Sequence, residues 1–353
     1  MTGAAAGAAG TPAAARAGVP MRGAVVVVTG ASSGIGRATA LACAGRGARV
    51  VLAARSAAEL DRVAAQCRQR GGAALAVPTD VTDEAAVTAL AEAATRRFGR
   101  VDVWVNAAGV GILGRFDQTP PRELRRLLEV NVIGAVHAAR AAVPVMRRQG
   151  GGVLIDIASL LGACLEAPYM GAYSMSKAAL VTFDEVLRQE LALLGDRRIA
   201  VCTVLPAGVD TPFFRHAANH TGRGLRSLPS MATPERIARI VVRTARRPRR
   251  RVLVGPYART LAAAHALAPG PVRRAVALRT DRSYLRGAPP APPPPAALET
   301  PCGPDAAVHG GRHAGLRTAA RRTAAAAAVL LAARTALRRA PGAPPGRASR
   351  IRG

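Results

Sequence analysis

Short apolar runs alternate with longer stretches rich in Ala, Leu and Arg over the first two thirds of the chain. Seven of these runs are rich in β-branched residues and show no polar alternation, which is typical of strands buried on both faces of a sheet. They occupy residues 24–29, 48–54, 73–77, 101–106, 152–158, 199–205 and 251–255. The stretches between them are long enough for crossover helices. The pattern therefore predicts an α/β fold with a doubly wound, seven-stranded parallel sheet in a single domain.

This pattern fades towards both ends of the chain. Residues 1–21 are rich in Ala and Gly and are expected to form a disordered leader, in which Met21 is a candidate second start. The α/β domain is predicted over residues 22–256, with residues 257–286 as its C-terminal extension. Residues 287–353 predict a low-complexity basic tail, with a Pro-rich spacer unable to form a core at 287–304 and a possible helix at 315–339. No apolar run approaches the roughly 20 residues needed to span a bilayer.

The net charge of +29 is concentrated near the C-terminus, where residues 241–353 hold 22 basic and 3 acidic side chains. One hypothesis is contact with nucleic acid or an anionic membrane surface through "RRPRRR" (246–251) or the 315–339 segment. The alternative, which we favour, is a solvated surface in a chain biased towards arginine. Five scattered cysteines without a CxxC pair favour a reduced, cytoplasmic protein with no metal site.

A glycine-rich turn follows the first predicted strand in "VVVVTGASSGIGRA" (25–38). Gly30, Gly34 and Gly36 permit a sharp turn and let a pyrophosphate approach the main chain, while the helix N-terminus attracts its negative charge. A purely structural turn is the alternative reading. Because the glycines lie between a buried strand and a helical stretch, the sequence predicts a dinucleotide-binding loop.

The second strand ends in Ala54 and Arg55, where NAD-binding folds commonly place an acidic residue for the ribose hydroxyls. A guanidinium can bind a 2′-phosphate through two hydrogen bonds, so we favour NADP(H) over NAD(H). The alternative is that Arg55 merely ends the strand. After the third strand, "TDVTDE" (79–84) offers a carboxylate and main-chain groups for an adenine, and Thr82 is expected to cap the next helix.

Lys177 is the only lysine in a chain with 50 Lys and Arg residues, and it lies four residues after Tyr173. On a helix the two side chains share a face. A nearby ammonium stabilises a phenolate, so we expect the pKa of Tyr173 to be lowered. Tyr173 could then act as a general acid or base at neutral pH.

With these residues the chain resembles the short-chain dehydrogenase/reductase family over residues 22–256. The resemblance rests on "TGASSGIG", "NAAG", Asn131 in "EVNVIGA", Ser159 in "IASLLG" and "YSMSK", in that order along the chain. It implies a single-domain, Rossmann-like oxidoreductase that moves a hydride between a nicotinamide cofactor and a small carbonyl or secondary alcohol substrate. It also implies a homo-oligomer.

The resemblance further implies a role for each matching residue. Tyr173 would exchange the proton, Lys177 would lower its pKa and bind the nicotinamide ribose, and Ser159 would polarise the substrate oxygen. Asn131 would hold a water molecule that links Lys177 to solvent. Plainer alternatives are a strand-end serine for Ser159 and a helix hydrogen-bonding residue for Asn131. The residues expected around the cofactor are Thr29, Gly30, Ser32, Ser33, Gly34, Ile35, Gly36, Asp80, Val81 and Asn106.

Two departures from the family pattern concern the substrate side. Ser159 and Tyr173 are 14 positions apart, one more than is usual, and Ala207 separates Pro206 from Gly208. The loop after Pro206 still offers Thr211 for the cofactor amide. Segment 208–232 predicts a lid whose adjacent phenylalanines, 213 and 214, form an apolar pocket wall. A non-catalytic binding protein on a dehydrogenase scaffold, using its basic tail, is the second functional class.

Overall fold

A computed structural model describes residues 18–224, 231–282, 290, 298–299 and 306–311. The seven predicted strands are confirmed, and the structure adds two short strands near the substrate side. The strands are β1 (Val25–Thr29), β2 (Arg49–Ala54), β3 (Ala73–Pro78), β4 (Val103–Asn106), β5 (Ile112–Leu113), β6 (Gly152–Ile157), β7 (Ile199–Pro206), β8 (Ala218–Asn219) and β9 (Arg251–Val254).

Helices connect these strands and cover both faces of the main sheet. They are α1 (Gly34–Ala44), α2 (Ala57–Gln69), α3 (Glu84–Phe98), α4 (Pro121–Leu128), α5 (Gly134–Arg148), α6 (Leu160–Ala163), α7 (Gly171–Leu193), α8 (Phe213–His216), α9 (Pro234–Arg246), α10 (Ala258–Leu267) and α11 (Pro269–Arg279). A π-helical turn, Glu129–Ile133, joins α4 to α5.

The main sheet is parallel, with the strand order β3-β2-β1-β4-β6-β7-β9. The order reverses between β1 and β4, and open α/β sheets bind ligands at the carboxyl ends of the strands at such a switch point. This is the doubly wound, Rossmann-like sheet that the sequence predicts. The fold therefore brings the β1–α1 loop, the end of β4 and the end of β6 to one edge.

Alternate residues of β1 supply two separate hydrophobic cores. Val26 and Val28 belong to the core that includes Leu41 of α1 and Val241 of α9. On the opposite face, Val25 and Val27 belong to a core that also contains apolar residues of α3 and α5. Because both faces are covered, the strand needs β-branched apolar residues at every position.

The start of α3 differs from the prediction. Its N-cap is Asp83, whose side chain accepts hydrogen bonds from the main-chain N–H groups of Ala85 and Ala86. The predicted cap, Thr82, instead donates its hydroxyl to Asp80, with an oxygen–oxygen distance of 2.8 Å. The prediction for Thr82 is wrong because the neighbouring carboxylate takes the capping position and is the stronger acceptor for two amides.

The described ends of the chain are more ordered than the sequence predicts. The main-chain N–H of Val19 donates to the carbonyl of Ala245, and Met21 joins the core beside α1. The predicted disorder therefore does not extend to residues 18–21, whereas residues 1–17 lie outside the described part. In the predicted spacer, Leu298 is only 2% exposed and packs with Ile112, Leu127 and Ala218, so this residue does join a core. The predicted helix at 315–339 lies outside the described residues.

Among the described helices, one continuous stretch is long and apolar enough to cross a membrane. It covers Pro121–Arg148, has a mean hydropathy of 1.2 in its most apolar window, and 56% of that window is buried inside the protein. The expectation of no such stretch overlooked α5, which is rich in Ala and Val. Its burial is that of a core helix packed on the sheet.

Candidate active site

The β1–α1 loop has the shape that a pyrophosphate requires. Gly30 and Gly34 have φ angles of +66° and +51°, which side-chain-bearing residues rarely adopt. A Cβ atom on Gly30 would lie 2.7 Å from the main-chain nitrogen of Ala108, so the loop packs directly on the main chain after β4. Ser33 is the N-cap of α1 but its side chain makes no capping hydrogen bond. The loop thus presents main-chain amides of a helix N-terminus at the switch point.

The other predicted cofactor residues of this loop lie around the same turn. Thr29 accepts hydrogen bonds at its Oγ1 from the N–H groups of Ala107 and Ala108, at 3.2 and 3.3 Å. A Cβ on Gly36 would overlap the carbonyl group of Gly30, so only glycine fits there. Ile35 packs against the core and Ser32 is buried.

Asp80 and Val81 follow β3, as predicted. Asp80 accepts hydrogen bonds from the main chain and hydroxyl of Thr82 and from Arg126. Burial alone would raise the pKa of Asp80, but these hydrogen bonds and the Arg126 charge hold it below the ordinary value. Val81 lies against Gly134, where a Cβ would be 2.9 Å from its side chain. A carboxylate is therefore held beside the switch point.

Asn106 ends β4, and its side chain forms hydrogen bonds within the protein. Its Oδ1 accepts from the Trp104 indole at 2.8 Å, and its Nδ2 donates to Asp156 at 2.7 Å. The side chain is therefore engaged within the protein interior, and the position of Asn106 beside the cofactor stays a prediction.

Asn131 lies in the π-helical turn, a local widening that is frequent at functional sites. Its Oδ1 accepts from the N–H of Val110 at 2.8 Å, and its Nδ2 donates to the Val110 carbonyl and to the Ser176 hydroxyl, both at 3.0 Å. These bonds tie α7 to the loop after β4. The structure thus gives Asn131 a positioning role, and the water relay stays a prediction.

Ser159 and Tyr173 meet at the carboxyl end of β6. The Ser159 hydroxyl accepts from the N–H of Leu161 and forms a side-chain hydrogen bond with Tyr173. Burial raises the pKa of Tyr173 to about 12, against the smaller lowering effect of that hydrogen bond. The predicted lowering of this pKa is therefore wrong in this structure, because desolvation of the phenol outweighs every favourable contact.

Lys177 lies one helical turn from Tyr173 and is almost completely buried, at 4% exposure. Its Nζ donates to the Ile157 carbonyl at 2.9 Å and lies 5.7 Å from the centroid of the Tyr173 ring. Burial lowers the pKa of Lys177 to about 8, although the carboxyl groups of Asp156 and Asp184 oppose that change. Neither acid was singled out by the sequence analysis.

The loop after β7 brings an aromatic side chain to Tyr173. The Phe213 ring meets the Tyr173 ring edge-on, with centroids 5.3 Å apart, and meets the Phe214 ring in the same way. Thr211 is buried, and its side chain is 3.3 Å from the position of a Cβ on Gly34. The loop after Pro206 therefore reaches the β1–α1 loop, while the contact of Thr211 with a cofactor amide and the apolar pocket wall stay predictions.

Two short pieces near the C-terminus contact the β1–α1 loop and Arg55, which no sequence signal indicated. We call residues 298–299 and 306–311 the C-terminal strap. The carbonyl of Ala307 accepts from the Gly34 amide at 2.9 Å. Arg55, at the end of β2 as predicted, donates to the carbonyls of Leu298 and Glu299 at 3.3 and 3.0 Å. Main-chain carbonyls of the strap thus accept hydrogen bonds from the first amide of α1 and from Arg55.

The arrangement fits a dinucleotide and a substrate oxygen. The described residues include no group of three or more His, Cys, Asp and Glu side chains able to hold a metal ion. A phenol, a hydroxyl and an ammonium converge beside a main-chain anion site. Such a site can polarise an oxygen atom and exchange a proton with it.

Comparison with known proteins gives consistent results. The family model described as "short chain dehydrogenase" matches residues 24–221. The uncharacterized oxidoreductase YxnA of Bacillus subtilis is 34% identical over 247 residues, which is 69% of each chain. A short-chain dehydrogenase/reductase from Burkholderia phymatum, solved in complex with NAD, has a TM-score of 0.64 and 28% identity over 72% of this chain and 97% of its own.

A second solved structure is similar in fold and sequence. An alcohol dehydrogenase from Thermococcus sibiricus, complexed with 5-hydroxy-NADP, has a TM-score of 0.58 and 28% identity over 66% of this chain and 96% of its own. The family match covers more than half of the chain and includes the cofactor loop, Ser159 and the Tyr173–Lys177 pair. The chain belongs to the short-chain dehydrogenase/reductase family of oxidoreductases.

Proposed function

We propose that this protein is an NADP(H)-dependent oxidoreductase that interconverts a secondary alcohol and a ketone or aldehyde. The observation that carries the proposal is the meeting of Ser159, Tyr173 and Lys177 beside the glycine-rich loop. The fold positions all three at the carboxyl edge of the sheet, where α/β proteins bind nucleotides.

The chain offers distinct groups for each part of the cofactor. Main-chain amides of the β1–α1 loop suit the pyrophosphate, and Asp80 with Val81 suits the adenine. Arg55 suits a 2′-phosphate, because a guanidinium binds a phosphate through two hydrogen bonds and β2 ends in Ala54 with no acidic residue to repel it. Similar proteins have been solved with NAD and with 5-hydroxy-NADP, so a nicotinamide cofactor is the reasonable ligand, and Arg55 favours the phosphorylated form.

The proton chemistry follows from three side chains. When bound, the nicotinamide supplies or accepts the hydride. Ser159 and Tyr173 donate hydrogen bonds to the substrate oxygen, and Tyr173 passes its proton to that oxygen as negative charge develops there. The raised pKa of Tyr173 keeps the phenol protonated at neutral pH, the state that a proton donor needs. The Lys177 ammonium stabilises the phenolate that remains.

An apolar substrate suits the pocket wall. Phe213 covers the ring of Tyr173, so a carbonyl that reaches the hydroxyl of Tyr173 must place its substituents beside an aromatic surface. Apolar walls with a few converging polar groups are typical of small-molecule sites. The substrate class we propose is therefore an apolar ketone, aldehyde or secondary alcohol.

We further propose a cytoplasmic homo-oligomer. The four cysteines in the described part of the chain, Cys43, Cys67, Cys164 and Cys202, are free thiols, which agrees with a reducing compartment. Light scattering of the purified protein would test the assembly, and fractionation of cells would test the location.

The test is a pair of measurements on the full chain. Fluorescence titration should show tighter binding of NADPH than of NADH. Tyr173→Phe should reduce turnover of apolar ketones by about 10²–10⁴-fold while leaving nucleotide affinity unchanged. Tyr169→Phe is the matched control, because its hydroxyl bonds Asp281 instead of Ser159. Full activity of Tyr173→Phe would refute the assignment of the proton donor.

A further inference from the structure

Two buried carboxyl groups lie near Lys177 and take no part in the proton chemistry proposed above. Asp156 on β6 and Asp184 on α7 are both 0% exposed. Each has one oxygen with a donor: Asn106 donates to Asp156, and the Thr203 hydroxyl donates to Asp184. The other oxygens, Asp156 Oδ2 and Asp184 Oδ1, are buried without a donor.

Asp156 pairs with Thr203 across β6 and β7, and the Thr203 hydroxyl donates to Asp184, so Thr203 brings the two carboxyl groups together. Ionised carboxylates only accept hydrogen bonds, so two ionised groups would leave both inner oxygens unsatisfied and would repel each other. A single proton between the carboxyl groups satisfies both oxygens at once. Paired carboxylates in other proteins share a proton for the same reason.

The two cations that act on the pair differ in their other partners. Besides Lys177, the cation facing the pair is Arg188, also on α7. Arg188 is already paired with Glu185 at 3.0 Å and donates to Thr203 on β7. Asn106 on β4 and Thr203 are neutral. Glu185 is shared with Arg250 and Arg251, but it gives Arg188 a carboxylate outside the pair. Among the described residues Lys177 forms no salt bridge, and the carboxyl groups acting on it are those of the pair, which supplies one negative charge when it holds one proton.

We propose that Asp156 and Asp184 share one proton and act together as the counter-charge that keeps Lys177 protonated. They are positioning residues, since they act on Tyr173 only through Lys177. The proposal rests on the role given to Lys177 above. Burial raises the pKa of both acids, as a shared proton requires, and their charge opposes the lowering of the Lys177 pKa.

Asparagine variants in the full chain test the shared proton. Asp156→Asn and Asp184→Asn each leave one carboxylate hydrogen-bonded by the new amide, so the charge beside Lys177 is unchanged. The double variant removes that charge. In either single variant, the apparent pKa of the alkaline limb in the pH profile of kcat/KM should equal the wild-type value within experimental error. In the double variant it should move down by at least about one pH unit, a tenfold loss of proton affinity.

An infrared spectrum at neutral pH tests the proton without any turnover. The wild type should show the carbonyl band of a buried carboxylic acid, and either single variant should lose it. Asp102→Asn is the control that keeps the band, because Asp102 is bonded by Arg100 and by the N–H of Val25. A wild-type spectrum without the band would overturn the proposal while leaving the oxidoreductase intact. A band without nicotinamide-dependent activity would contradict only the proposed function.

The C-terminal strap carries a second, independent inference. Its carbonyls accept hydrogen bonds from three groups near the cofactor loop: the Gly34 amide, Arg37 and Arg55. Leu298 anchors one end in a core with Ile112, Leu127 and Ala218. At the other end the N–H of Gly310 donates to the carbonyl of Asp210 at 3.2 Å.

The strap and a dinucleotide need the same donors. Gly34 begins α1, so its amide belongs to the helix N-terminus that would receive a pyrophosphate, and it now receives the Ala307 carbonyl at 2.9 Å. Arg55 is likewise bonded to strap carbonyls. One donor group cannot serve both partners in full.

We infer that the C-terminal strap is an autoinhibitory segment that the nucleotide must displace. The apparent dissociation constant for NADPH is then the intrinsic constant divided by the fraction of molecules with the strap released. Loosening the strap should tighten nucleotide binding. This inference also rests on the proposed cofactor.

Gly310 offers a way to loosen the strap in the full chain. A Cβ at Gly310 would overlap the Thr211 carbonyl and lie 2.8 Å from Asp210 Oδ1, whereas a Cβ at Gly270 meets nothing within 4 Å. Gly310→Ala should therefore lower the dissociation constant for NADPH by about threefold or more, and Gly270→Ala should leave it unchanged. In the wild type, hydrogen exchange at residues 306–311 should accelerate when NADPH is added.

The outcomes separate the two proposals. Equal NADPH affinity in the wild type and Gly310→Ala, with unchanged exchange at residues 306–311, would overturn the strap inference but keep the cofactor. If neither protein binds NADPH or NADH, the proposed cofactor is wrong.

Discussion

Replacing Gly30 by alanine should damage the β1–α1 loop through a steric clash. Gly23 provides a control that lacks this clash. Gly30 and Gly23 have similar backbone angles, with φ of +66° and +75°. A Cβ at Gly30 would lie 2.7–2.8 Å from main-chain atoms of Ala107 and Ala108, whereas a Cβ at Gly23 meets nothing within 4 Å. The pair therefore shares the cost of a positive φ and differs in the contact.

The expected loss in the free energy of unfolding follows from the positive φ angle and from the steric contact. Alanine in the left-handed region costs roughly 1–2 kcal/mol, which applies to both variants. At Gly30 the neighbouring main chain must also move by several tenths of an ångström, and overpacking of this kind costs about 1–3 kcal/mol more. For a domain of this size each kcal/mol lowers Tm by roughly 2–4 °C, so Gly30→Ala should melt about 2–12 °C below Gly23→Ala.

Thermal unfolding and NADPH titration would measure both consequences. Gly30→Ala should melt below Gly23→Ala and bind NADPH more weakly, because the shifted loop no longer aims its amides at one point. Gly23→Ala should bind like the wild type, since Gly23 precedes β1. Equal melting temperatures and equal affinities for the two variants would refute the packing argument.

Three further changes have defined outcomes. Lys177 has a lowered pKa of about 8 against 10.5, so above pH 8 the unfolded chain binds the extra proton, and between pH 8 and 9 the free energy of unfolding should rise by up to about 1.4 kcal/mol per pH unit relative to Lys177→Met; above pH 9 the raised pKa values of Cys43 and Cys67 act in the opposite direction. Arg55→Ala removes the proposed 2′-phosphate contact and also two strap bonds, so the ratio of NADPH to NADH affinity should fall about 10–100-fold, by titration against Arg46→Ala as the control. Phe213→Ala should raise KM for a bulky apolar ketone by about tenfold with a smaller change in kcat, and an unchanged KM would exclude this ring from the pocket.

Local patterns were sufficient to predict much of the site. The seven strands follow from β-branched runs, because a strand covered on both faces tolerates few polar residues. The spacing of Tyr173 and Lys177 places them on one face of α7 in any helical structure. The glycines of the β1–α1 loop were also visible, since a sharp strand-to-helix turn selects for them locally.

Predictions that depended on the three-dimensional environment of a side chain were less complete. The pKa of Tyr173 was expected to fall because Lys177 is four residues away, yet burial raises it. Asn106 was expected near the cofactor, and no sequence pattern indicated that its side chain would bond Trp104 and Asp156. Sequence spacing gives the neighbour but not the amount of water that remains around a group, and that amount sets its charge state.

The sequence by itself determined the alternation of strands and helices, the anion-binding turn and the pairing of a tyrosine with a lysine, because each depends on residues close together in the chain. Only the tertiary structure decided which side chains surround that tyrosine and lysine. Asp156 and Asp184 come from a strand and a helix, and Leu298 from a Pro-rich segment whose composition predicted no core. Their contacts form across long sequence separations, where packing rather than local preference chooses the partner.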